Sequence, residues 1–60
     1  MKSRILFELE TLRDILKASI EALEEIERSP SGLTRYDRGY RDSRRDVLTI
    51  VERILKEVSE

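Results

Sequence analysis

The chain is 60 residues long, has no Cys and no His, and sets 12 Lys or Arg against 13 Asp or Glu for a net charge of −1. These figures exclude disulfide and zinc staples and the usual His- or Cys-based catalytic constellations. They also provide no global field that would draw the protein to nucleic acid or to an anionic membrane.

Charged residues make up 42% of the chain, against roughly 25% in an average soluble domain, which suits helices with solvated faces. A chain this short buries only about 60% of the surface it exposes when unfolded, so a lone monomer is marginal. With disulfides and metals set aside, oligomerisation is the stabilising device that remains. The apolar run after Arg4 ends at Glu8, too short for a signal-peptide core or a membrane span, so a cytoplasmic protein is expected.

The first predicted helix covers about residues 3–28. No Pro or Gly interrupts Ile5 to Arg28, and good helix formers dominate. Apolar positions at Ile5, Leu9, Leu12, Leu16, Leu23 and Ile26, with Ser19 in line, alternate in fours and threes as a heptad seam does. A second series, Phe7, Thr11, Ile15, Ala18, Ala22 and Ile26, lies beside it on the helical wheel. Together they span about 200° of the helix, whereas one partner needs a stripe nearer 100° wide. The second series is therefore assigned to an oligomer interface, its small middle residues allowing close approach. The plainer alternative is an exposed Phe7 and alanines present only as helix formers.

Ser29-Pro30-Ser31-Gly32 is the densest group of breakers and predicts a loop at about 29–33. Pro30 cannot continue the first helix, and Gly32 supplies permissive backbone. Thr34 is the expected N-cap of a second helix over about 34–59, with Asp37 as a shortened capping-box partner. A loop this short implies antiparallel neighbours.

The predicted seam of the second helix is Tyr36, Tyr40, Ser43, Val47, Ile50 and Ile54, widened by Val51 and Val58. Leu48 and Leu55 broaden it further and join the expected oligomer interface. Gly39 and Ser43 form a small-x-x-x-small pair, and a mid-helix Gly costs about 1 kcal/mol relative to Ala, so close helix packing is expected there. Folding back at Gly32 brings Glu21, Glu24, Glu25 and Glu27 towards Arg35, Arg38, Arg41 and Arg44, and Lys2 and Arg4 towards Glu57 and Glu60.

The most biased stretch is Arg35 to Asp46, with five Arg, three Asp and two Tyr. Arginines that grip phosphate beside tyrosines that stack on bases are a nucleotide- or nucleic-acid-binding pattern, and Tyr36, Tyr40, Arg41, Arg44 and Arg45 are the candidate ligand residues. The wheel sets Arg38, Arg41 and Arg45 roughly opposite the tyrosines and leaves Arg44 beside Tyr40. Carboxylates one turn apart at Asp42 and Asp46, or Glu21 and Glu25, do not supply the six or more oxygens a hard cation takes, so no metal site and no cofactor are expected.

Tyr36-Asp37-Arg38-Gly39-Tyr40-Arg41-Asp42, running on to Asp46-Val47-Leu48, resembles a Tyr-x-x-Gly-Tyr pattern in short helical proteins of phages and bacteria. That resemblance implies a small accessory protein that binds and blocks something, and it carries no functional residues. The packing is analogous to that of ROP-type hairpins.

The chain thus reads as an all-α antiparallel two-helix hairpin that self-associates, as a dimer or higher, into a helical bundle. The expected function is a non-enzymatic inhibitory or adaptor module acting on a protein partner. Two alternatives stand beside it: a nucleotide or nucleic-acid binder, and a structural subunit of a larger assembly.

Overall fold

A computed structural model of the protein describes residues 3–59. It contains two helices, α1 (Arg4–Glu27) and α2 (Arg35–Ser59), packed as a hairpin. Both agree with the sequence expectation to within one residue at each described end.

The ends are set by side-chain chemistry. Ser3 caps α1, its hydroxyl accepting the Leu6 N–H at 3.1 Å and its carbonyl the Phe7 N–H at 3.1 Å. After Arg28, the Ser29 N–H donates to the Ile26 carbonyl at 3.0 Å and the Gly32 N–H to the Ser29 carbonyl at 3.0 Å. Gly32 has φ of 64°, the left-handed conformation that a side chain disfavours, and it turns the chain for the return. Thr34 then caps α2, accepting the Asp37 N–H at 3.1 Å on its hydroxyl and the Arg38 N–H at 3.0 Å on its carbonyl.

The core is narrow. Leu16, Val51 and Leu55 form its buried centre, with Leu6, Leu9 and Leu48 packed against them. Ile20 and the loop residue Leu33 are also buried, each 6% exposed. The inward stripe of α1 therefore runs Leu6, Leu9, Arg13, Leu16, Ile20, Leu23, and that of α2 runs Asp37, Arg41, Arg44, Leu48, Val51, Leu55. Both alternate in threes and fours.

Here the structure corrects the sequence reading. The expected α2 seam lies one residue away from the real one at every position, so Tyr36, Val47, Ile50 and Ile54 stand exposed. Leu48 and Leu55, assigned above to an oligomer interface, belong to the hairpin's own core. On α1 the expected seam shares Leu9, Leu16 and Leu23 with the real one, but Ile5, Leu12 and Ile26 are exposed. Apolar content alone cannot choose between Leu48, Val51 and Leu55 and the neighbouring Val47, Ile50 and Ile54. The stripe that is used is the one that also sets Arg41 and Arg45 beside Glu27 and Glu24 at the loop end.

Candidate functional site

Each exposed apolar stripe is the inward stripe set back by one residue. On α1 it reads Ile5, Glu8, Leu12, Ile15, Ser19, Ala22 and Ile26; on α2, Tyr36, Tyr40, Ser43, Val47, Ile50 and Ile54. One residue is about 100° around a helix. Because the helices face each other and run in opposite directions, the same setback turns both stripes to the same side of the hairpin. The side reached by stepping forward one residue instead carries Glu10, Asp14, Lys17, Glu21 and Glu24 on α1 and Arg38, Asp42, Arg45, Glu52 and Lys56 on α2. The molecule is thus a rod of 46 × 16 × 14 Å, apolar along one flank and charged along the other. At the open end of the apolar flank the surface of α1 forms a shallow, open depression lined by Arg4, Ile5, Glu8, Leu9, Leu12 and Ile15.

The residues expected at an oligomer interface divide accordingly. Ile15, Ala22 and Ile26 lie on the apolar flank, Thr11 and Ala18 on the outer side of α1, and Phe7, 63% exposed, towards the charged side. Gly39 meets no helix within the chain: a Cβ built there finds nothing within 4 Å, and Ser43 is likewise exposed. The close approach expected at this pair is therefore not an approach of α1.

The arginine-tyrosine segment is split by ion pairing. Arg41 turns inward and pairs with Glu27, and its Nε donates to Asp42 at 3.3 Å. The hydrogen bond with Glu27 is the main cause that raises the Arg41 pKa above the usual arginine value, with burial opposing and Asp42 adding to it. Arg45 donates to Glu24 at 2.8 Å. These pairs set two of the loop-end acids of α1, Glu24 and Glu27, beside α2; of the arginines expected from the fold-back at Gly32 the structure pairs Arg41, and it adds Arg45, which was not among them. Glu24 and Glu27, in the last turn of α1, oppose that helix's macrodipole, and the paired Arg45 and Arg41 offset the charge there. The wheel reading that put Arg41 on a solvated side is corrected, since its side chain is only 12% exposed.

Of the five candidate ligand residues, the structure brings together Tyr40 and Arg44. The Arg44 guanidinium lies over the Tyr40 ring, 4.7 Å from its centroid, and donates to the Tyr40 hydroxyl at 2.6 Å. Tyr36, 79% exposed, stands apart. At the open end, Arg4 lies 4.0 Å from Glu8 within α1, and the expected contacts of Lys2 and Glu60 fall outside the described residues. Among the described residues no group of three or more Asp or Glu is arranged to hold a metal ion, and no helix is long and apolar enough to cross a membrane.

Sequence reasoning missed Leu33 and Leu6. Leu33 was legible as the one large aliphatic in an otherwise polar connection, where it closes the loop end of the core. Leu6 was hidden by Ile5, which suits a heptad equally well.

Comparison with protein-family models, with curated proteins and with solved structures finds no match to this chain.

Proposed function

We propose that this chain is a non-enzymatic, homo-oligomeric helical binding module of the cytoplasm, an inhibitor or adaptor that acts on a protein partner. One observation carries the reading. The apolar flank exposes Ile5, Leu12, Ile15, Ile26, Tyr36, Tyr40, Val47, Ile50, Ile54 and Val58 at between 39% and 79% of their surface. That amounts to roughly 1,000 Å² of largely apolar side chain, well beyond the 300–600 Å² patch of a typical monomer. It is also the amount that each partner of a standard-sized interface buries, about 800 Å². The heptad spacing of both stripes is what helix-on-helix packing requires. With that flank covered, the charged side and Phe7 remain for a protein partner, in keeping with the accessory role implied by the Tyr-x-x-Gly-Tyr resemblance.

Sedimentation at micromolar concentration tests the self-association. The native chain is expected to run as a dimer or larger, and Ile50→Asp with Ile54→Asp is expected to give a helical monomer. A native chain that stays monomeric at hundreds of micromolar would sink the reading.

The nucleotide reading rests on the Tyr40–Arg44 stack, a cation lying flat on an aromatic ring at the edge of the apolar flank. It is the weaker reading, because Arg41 and Arg45 are already held by Glu27 and Glu24. Thermal stabilisation by nucleotides or short RNAs, lost in Arg44→Ala, would support it.

A further inference from the structure

We infer that the second copy lies end for end on the apolar flank with α1 on α1 and α2 on α2, and that Glu8 meets Ser19 and Asp46 meets Arg53 of the other copy. The inference rests on the self-association proposed above and specifies its geometry.

Two such flanks set face to face admit two dyads. An axis across the rod stacks each helix antiparallel on its own copy. An axis along the rod stacks α1 on α2, loop end beside loop end. The exposed stripes and the residues at their outer edges tell the two apart.

Residues equally far on either side of an axis across the rod meet. On α1 the axis falls midway between Leu12 and Ile15, so these two meet, Ile5 meets Ala22 and Glu8 meets Ser19. Glu8 and Ser19 are the two polar side chains of that stripe. A carboxylate in a surface that is to be covered needs a donor, because an uncompensated buried charge is costly. The Ser19 hydroxyl makes no hydrogen bond among the described residues, so its proton is available. At the outer edge of the same stripe Arg4 meets Glu25.

On α2 the axis falls midway between Val47 and Ile50, which meet in turn, and Ser43 meets Ile54. At the outer edge Asp46 meets Arg53. Tyr40 meets Glu57; its hydroxyl accepts from Arg44 within the chain and keeps its own proton for that carboxylate. Glu25, Asp46 and Arg53 make no ion pair among the described residues, and every one of these contacts occurs twice by symmetry.

The two positions of the axis come from α1 alone and from α2 alone, yet they agree. α1 begins at Arg4 where α2 ends at Ser59, so both positions lie about ten residues, roughly 15 Å, from the open end. A single dyad serves both helices. The next position at which the stripes mesh, half a heptad nearer the loop end, sets Glu8 against Ile26 and Asp46 against Asp46 of the other copy.

An axis along the rod makes Leu12 level with Ile50 and Ile15 level with Val47. Glu8 then meets Ile54 beside Glu57, Asp46 meets Ala18, and Arg53 meets Thr11. None of these charges finds an opposite one. That arrangement covers Tyr36, which the end-for-end one leaves past the end of the second copy.

Charge exchange at one contact tests this directly. Asp46→Arg and Arg53→Glu are each expected to self-associate about tenfold more weakly than the native chain, since like charges then meet at both copies of the contact. Mixed in equal amounts they are expected to form a heterodimer of near-native affinity, in which both contacts are opposite in sign. Circular dichroism of each variant reports that the helices remain. Thiols give a second measurement, because the native sequence has none of its own. A chain with Glu8→Cys is expected to form a mixed disulfide with one carrying Ser19→Cys and not with one carrying Ile54→Cys. Tyr36→Ala is expected to leave the association unchanged. A native dimer whose charge variants gain nothing on mixing, or whose Glu8→Cys chain joins Ile54→Cys instead, or which Tyr36→Ala weakens, would overturn the end-for-end geometry and leave self-association standing. A native chain that is monomeric would remove both.

Discussion

Arg41 of α2 reaches back across the loop end of the hairpin to Glu27 of α1, and Arg45, one turn on, repeats the contact with Glu24 at 2.8 Å. The two pairs differ in exposure. The Arg41 side chain is 12% exposed and that of Arg45 46%. Arg41 therefore covers apolar surface with its stem as well as pairing its head. Arg41→Ala is expected to lower the urea midpoint more than Arg45→Ala, measured at one protein concentration. Added salt should shrink the Arg45 effect more, since exposed pairs are the ones screened.

Leu16 and Ile15 are neighbours with opposite duties. Leu16 is fully buried in the hairpin and Ile15 is 56% exposed on the apolar flank. Leu16→Ala is expected to cost about 2–5 kcal/mol, enough to unfold a domain with so small a core. Ile15→Ala should change the stability of a lone hairpin by only about 0.5 kcal/mol while weakening self-association. Helicity by circular dichroism and mass by sedimentation separate the two effects.

The glycines respond in opposite directions to a methyl group. Gly39 is in the interior of α2 with nothing within 4 Å of a Cβ, so Gly39→Ala is expected to stabilise the hairpin by about 0.5–1 kcal/mol. Gly32 has equal space but φ of +64°, so Gly32→Ala should destabilise it by about 1 kcal/mol or more. Thermal melts of the two variants should move apart from the native curve on either side.

Thr34 holds the first turn of α2 through its hydroxyl, 3.1 Å from the Asp37 amide. Thr34→Ala is expected to cost about 1 kcal/mol, and Thr34→Ser to recover most of it. Hydrogen exchange should rise first at the amides of Asp37 and Arg38, the two that Thr34 accepts.

The hairpin was legible in the sequence because its punctuation is local. Ser29-Pro30-Ser31-Gly32 ends one helix, Thr34 caps the next, and the acids of α1 find the arginines of α2 on folding back. Which stripe faces inward was less legible, because Leu48, Val51 and Leu55 compete with Val47, Ile50 and Ile54 on hydrophobicity alone. The observed rotation of α2 is the one that sets Arg41 and Arg45 beside Glu27 and Glu24, a non-local pairing that hydrophobic spacing within one helix does not encode. For the same reason the arginine-tyrosine segment looked like one patch. Its arginines and tyrosines stand on three sides of a helix, and among them only Arg44 and Tyr40 touch.

A core of five buried side chains among the described residues makes folding a collective property on the reading that a second copy covers the apolar flank. The folded fraction then rises with the number of copies present, so abundance itself acts as the switch. On that reading scarce chains, open more of the time, would meet proteases more readily than plentiful ones. On the same reading, the amount of chain present and its lifetime would be tied to each other.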